Sequence, residues 1–335
     1  LNNLFHHLAK SGLFISVILN HTFERLLDMP KSFLWVDSCL LIYELSHRIR
    51  EQLRFFGVTA KIRFVWRHVT LNNDNTFQEL LINILQDYYF VYNLQPVDAS
   101  YLVTDNMAME YTKLRPDHAA KEPEKIETLG SYNGLTVCPT VLEGTFTILI
   151  NKTKLLEYIN AQNATWVGTI VHETTHVRDY IDFAEFTGAT DYEDILNAGK
   201  NLPFQLWTEF NARAKGYYFV RKYTFTDMFD ETQIDDIVEI ELPTQERLLF
   251  ENYHATNDGT QQAYYVSHFL GRLYSLQKIF PTFFTDDWVS NMPLFINNKW
   301  MLDWYWFLKE NNFLEAVSAK FDDMCEILRQ NFVWI

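Results

Sequence analysis

The chain has 335 residues, a formal net charge of −15, 48% hydrophobic and 16% aromatic residues, and only 11 Gly and 9 Pro. Such a composition excludes a disordered or collagen-like chain and is ample for a buried core without covalent staples. The acidic balance disfavours phosphate backbones and anionic membrane surfaces, so neither nucleic acid nor membrane is expected as a partner.

Three cysteines (Cys39, Cys138, Cys325) share no CxxC spacing and pair in no even framework, which suits a reducing, cytoplasmic setting. The apolar run 12–19 is too short to span a bilayer and lacks a small-residue cleavage site after it, so it reads as a buried strand. The chain begins at Leu1 rather than Met, which leaves secretion open.

Residues 38–56 space their apolar side chains as a helix does, 58–69 alternates as a strand, and 77–91 returns to helical spacing. Together they make a mixed α/β unit over 1–104. The polar stretch 105–131, with its prolines and charges, is expected to be a linker or long loop. Short strands follow over 135–138 and 145–150, then helices over 152–161 and 164–184, in a core spanning 132–225. Helical patterns over 203–224, 243–255, 259–279 and 298–330 fill the remainder, so 226–335 is expected to be a helical C-terminal region. The fold class expected is α+β.

The chemistry concentrates in Val171-His-Glu-Thr-Thr-His-Val177. His172 and His176, four residues apart, lie on one helix face, where both imidazoles can reach one metal ion. Glu173 is rotated about 100° from His172. It sits beside the ion, placed to take a proton from activated water and pass it to a leaving amine. Asn163 can cap the helix, and Trp166, Val167, Ile170 and Val171 give it an apolar stripe. The alternative is two histidines on a helix face bonded to backbone or water.

A catalytic zinc site needs a third protein ligand and an open position. Asp182 is rejected because a straight helix carries it about 240° round from His176. Asp191 offers a loop carboxylate. Glu209 is favoured, since flanking Trp207 and Phe210 imply burial, which a carboxylate tolerates only when paired or metal-bound. Ala212 and Ala214 would let its helix approach the motif helix closely. Asp179, three residues after His176, is expected to accept the free ring N–H of a liganding histidine, with pairing to Arg178 or a neighbouring Lys as its alternative. Tyr217, Tyr218, His254, Tyr264 and His268 are all possible oxyanion donors, among which the sequence does not choose.

The strand 145–150, the motif 170–179 and Glu209-Phe-Asn-Ala212 together resemble the gluzincin core, and are similar to the ImmA/IrrE-type bacterial and phage regulatory metallopeptidases. The resemblance covers roughly residues 130–225. It implies a zincin-like core of small sheet and HExxH helix, a Zn2+ cofactor held by His172, His176 and Glu209, and a peptide or protein substrate added as a β-strand beside the strand preceding the motif helix. Two departures stand out. Arg213 occupies the place of the Asp found four residues after the ligand Glu in the thermolysin pattern, and no helix-turn-helix is evident at the N-terminus. The expectation is a zinc-dependent peptidase with Glu173 as general base. The alternatives are a zincin-derived binding or structural protein with little turnover, against which the intact Glu173 argues, and a secreted toxin-like protease, which the missing signal segment disfavours.

Overall fold

The computed structural model describes residues 63–64, 74–196 and 198–331. By its internal contacts the chain divides into 1–60 and 61–335. The expected strand 12–19, the expected helix 38–56 and most of the expected strand 58–69 lie outside the described residues.

Four strands form one mixed sheet: β1 (Arg63–Phe64), β2 (Ala99–Thr104), β3 (Gly134–Val137) and β4 (Phe146–Asn151), in the order β1-β2-β4-β3. β4 runs parallel to β2, pairing Tyr101 with Ile148, and antiparallel to β3, pairing Leu135 with Leu149. The two central strands are buried almost throughout, as parallel strands covered on both faces must be. The two-residue alternation assigns the faces. Tyr101, Val103, Ile148 and Ile150 join the main core, whereas Leu102 and Leu149 pack with Met107, Tyr111 and Leu129 in a second cluster.

That second cluster corrects the expectation for 105–131. The stretch is not a linker: it folds into helices over Met107–Leu114, Pro116–Lys121 and Pro123–Thr128. Its few apolar residues are needed to cover Leu102 and Leu149, which would otherwise face water. Asn106 caps the first of these helices by accepting the Met109 N–H.

Among the described residues nine helices have eight or more residues: α1 (Asp74–Val91), α2 (Met107–Leu114), α3 (Lys152–Asn160), α4 (Thr165–Thr187), α5 (Ala198–Thr224), α6 (Leu242–His254), α7 (Gly259–Ile279), α8 (Lys299–Glu310) and α9 (Phe321–Asn331). The expected helix 298–330 is thus broken, with the short helix Leu314–Ala319 between α8 and α9. The architecture is α+β and mainly helical in its C-terminal half. No described helix is long and apolar enough to cross a membrane.

α4 carries the motif. Asn163 accepts the Thr165 N–H at its start, and Gly188, in the left-handed conformation at φ 63°, closes its end. α5 is kinked at Asn201, whose side chain amide donates to the Asp194 carbonyl, and Pro203 follows at the restart.

A glycine pair marks the close approach of α4 to α5. A Cβ on Gly168 would lie 2.9 Å from the Gly216 carbonyl oxygen, and one on Gly216 would lie 2.7 Å from that of Gly168. On the other side of α5, a Cβ on Gly271 of α7 would meet the Phe210 carbonyl oxygen at 2.5 Å. Three missing side chains therefore draw α4, α5 and α7 together around one point.

Candidate metal centre

At that point four ligand-type side chains converge. His172 and His176 from α4 bring their Nε2 atoms to 3.0 Å from each other. Glu209 from α5 places Oε2 3.5 Å from His172 Nε2 and Oε1 3.5 Å from His176 Nε2. His268 from α7 stands with Nε2 2.7 Å from Glu209 Oε2. Glu209 thus lies where the sequence reading placed it, and on a second helix. Asp191 does not: its carboxylate accepts the Asp194 N–H at the start of the helix Tyr192–Leu196. Asp182 is paired with Arg178 at 2.8 Å.

The donor set fits a zinc ion. Bonds of about 2.0–2.1 Å in a tetrahedron set the ligand atoms about 3.3 Å apart, and the three separations here are 3.0, 3.5 and 3.5 Å. Proton positions agree. Thr208 donates its hydroxyl to Asp179 Oδ2 at 2.6 Å, so its oxygen accepts from His176 Nδ1–H at 3.0 Å. Nε2 of His176 then faces His172 and Glu209, with a lone pair when the ring is neutral and an N–H when it is charged. Two imidazole nitrogens and a carboxylate aimed at one spot can share a cation, either a proton or a metal ion.

The titration of the cluster tells the same story. Burial opposes a charge on His176, yet the carboxylate of Glu209, with those of Glu173 and Asp179, outweighs it and lifts the imidazolium to about 9. Burial and the neighbouring His176 push His172 down to about 4. Burial alone would raise Glu209, but His176 and hydrogen bonds from three histidines hold it well below the usual carboxylate range. One positive charge belongs in this cage, on a proton or a metal.

Asp179 supports the cage at one remove. The sequence reading has it bonding a histidine directly; instead the Thr208 hydroxyl stands between it and His176, and Asn211 donates to both its oxygens at 3.0 and 2.9 Å. Its neighbour Arg178 turns to Asp182, leaving the buried Lys215 as the nearby cation.

Glu173 points toward β3 rather than into the cage. The Thr136 hydroxyl lies 2.9 Å from its Oε2 and 2.9 Å from its backbone carbonyl oxygen. A Cβ on Gly134 would come within 2.9 Å of Glu173 Cγ, so the strand backs directly onto this side chain. Burial raises its pKa, while Thr136 and His176 act against that rise. Thr174 and Thr175, between the motif residues, hold the helix down: Tyr101 of β2 lies 2.7 Å from Thr174 Oγ1, and Tyr88 of α1 lies 3.0 Å from Thr175 Oγ1.

Of the five oxyanion donors left open, two belong to the site. His268 has been placed, and the Tyr264 ring packs 4.2 Å from the His268 ring, close enough to Glu209 and Glu173 for their charges to raise its pKa beyond the effect of burial. Tyr217 is bound to Glu241, Tyr218 packs on Tyr92, and His254 stacks on Phe250. Sequence reasoning missed Thr136, Thr208 and Asn211 altogether. For the last two a signal existed: they sit three apart on α5, on one face beside Glu209.

A second group of ligand-type side chains, Asp117, His118 and Glu193, lies elsewhere. Arg115 pairs with both of its carboxylates, so their charge is already answered without a metal. The chain matches no protein-family model, no curated protein and no solved structure.

Proposed function

We propose that the chain is a zinc-dependent peptidase with a gluzincin-type, zincin-like core. The observation that supports it most is the spacing of His172, His176 and Glu209 about one point, with Glu173 adjacent but turned out of the ligand set. Zinc, held by those three residues, supplies positive charge that acidifies water and polarises a peptide carbonyl.

The chain's own residues supply the rest. Glu173, made more basic by burial, accepts a proton from water as the water oxygen bonds to the carbonyl carbon. It then delivers that proton to the amide nitrogen as the C–N bond breaks. Tyr264 O–H is the donor available to the carbonyl oxygen as it gains charge, since His268 Nε2–H is given to Glu209 Oε2.

The substrate strand is not laid along 145–150. β4 has β2 on one side and β3 on the other, so it has no free edge. β1 and β3 are the edge strands among the described residues, and it is Thr136 of β3 that touches Glu173. An extended peptide pairing with β3 passes beside the base.

The test is metal analysis of the purified chain together with cleavage of a peptide library. Zinc is expected at one per chain, and Glu173→Gln should keep it while cleavage falls about 100-fold or more. Equal zinc in both proteins with no cleavage by either would sink the peptidase reading, and absence of zinc would sink the metal site.

A further inference from the structure

Resting on that zinc reading, a question follows from His268. A third imidazole stands within reach of the metal position: ligand-type atoms of His172, Glu209 and His268 all lie within 4.8 Å of one another. Were it to bind, the site would hold four protein ligands, the closed arrangement of structural zinc, with no position for substrate.

We infer that Arg213 is a positioning residue that bars His268 from the metal and so keeps the fourth position open. Arg213 Nη2 lies 2.9 Å from His268 Nδ1. A guanidinium has donors and no acceptor, so Nδ1 must present its lone pair to it. A neutral imidazole carries one ring proton, which then resides on Nε2, and that Nε2–H donates to Glu209 Oε2 at 2.7 Å. A nitrogen that carries a proton has no lone pair for a metal. To coordinate through Nε2, His268 would need its proton on Nδ1, facing an N–H of Arg213: two donors with nothing to accept between them.

Packing holds Arg213 at this post. It follows Glu209 by four residues, one turn along the same face of α5. A Cβ on Gly271 of α7 would lie 3.0 Å from the Arg213 Cβ, so the bare glycine backbone closes over its stem. Its Nε is buried without a hydrogen-bond partner, leaving the contact to His268 as its hydrogen bond at this site. Arg213 is also the residue at which the sequence departs from the thermolysin pattern. An acidic residue there would accept a proton from Nδ1 and strip it from Nε2; the arginine does the reverse.

The experiment counts imidazole ligands by X-ray absorption at the zinc edge and measures zinc affinity by chelator competition, both on the full chain. The wild type is expected to show two imidazoles. His268→Ala should leave that number unchanged, with affinity falling as the hydrogen bond to Glu209 is lost. Arg213→Gln, whose carbonyl can accept from Nδ1–H, should show three imidazoles and bind zinc about tenfold more tightly or better, the scale of outer-sphere effects on metal affinity. Adding His268→Ala to it should restore two imidazoles and bring the affinity down to that of His268→Ala alone. Three imidazoles in the wild type, or two in Arg213→Gln, would overturn the inference while leaving the zinc site standing. A wild type that takes up no zinc overturns both. If Arg213→Gln does not fold, Arg213→Met removes the donor at similar length, and loss of an imidazole in His268→Ala decides against the inference on its own.

Discussion

Thr208 donates its hydroxyl proton to Asp179 across 2.6 Å, a contact that reaches from α5 to α4. Because that proton is committed, the same oxygen can only accept from His176 Nδ1–H. The carboxylate thus orients an imidazole it does not touch.

Thr208→Val keeps the shape and removes the hydroxyl. It is expected to weaken zinc binding about 10–100-fold, with Thr208→Ser recovering most of the loss. Chelator competition measures it. Equal affinity in Val and Ser variants would show that Asp179 has no influence on His176 through this bridge.

Gly134 and Glu173 make a second close relationship. Any side chain at 134 must displace Glu173 or Thr169, since a Cβ would lie 2.9 Å from Glu173 Cγ and 2.8 Å from Thr169 Cγ2. Gly134→Ala is therefore expected to lower peptide cleavage about tenfold or more through a misplaced base, while zinc stoichiometry stays at the wild-type level. Parallel loss of metal and cleavage would mean that the change disturbs α4 as a whole.

Legibility followed the range of each interaction. The HExxH pair could be read because its spacing matches one helical turn, and Glu209 because its apolar neighbours betrayed burial. β3 and β4 were legible as short strands, but not the central strand β2 at Ala99–Thr104, nor the burial of β4 between β2 and β3, since strand order depends on pairings far apart in the chain. The cover formed by Met107, Tyr111 and Leu129 carries too few apolar residues to announce itself. The anchoring of Thr174 and Thr175 by Tyr101 and Tyr88 was not legible, because those partners lie 73 and 87 residues away. Nothing local to α7 marks His268; only packing over Gly271 brings it to Glu209.

Acid should loosen the metal-free fold in a defined window. His268 is pushed down to about 3 by burial and Arg213, and His172 to about 4 by burial and His176. Both lie below the ordinary 6.5, so as pH falls the unfolded chain takes up these protons first. The stability they represent is whole above about 6.5 and drains toward pH 3. His176 runs the other way: lifted to about 9 against the pull of burial, chiefly by Glu209, it contributes fully below 6.5 and loses that contribution as pH rises through 9. In chelator, urea unfolding should show stability falling on both sides of neutrality. His268→Gln should flatten the acid limb by about 2 kcal/mol between pH 7 and 4.5, and an unaltered limb would count against a buried neutral His268.

Gly216 gives the sharpest test of how the fold makes the site. On an exposed helix, Gly→Ala stabilises by roughly 1 kcal/mol, because alanine loses less backbone freedom on folding. At 216 the sign should reverse. The added methyl would lie 2.7 Å from the Gly168 carbonyl oxygen and 3.3 Å from the Cβ of His172. Backbone cannot give way as a flexible side chain does, so α4 and α5 must part, at a cost of about 1–3 kcal/mol. Parting them also withdraws Glu209 from His172 and His176, each now 3.5 Å away. Gly216→Ala is therefore expected to lower both the urea midpoint in chelator and the zinc affinity, although the substituted atom touches no ligand nitrogen or oxygen. A variant that unfolds later than the wild type would show that propensity outweighs the crossing, and that the two helices are not held at contact distance by this glycine pair.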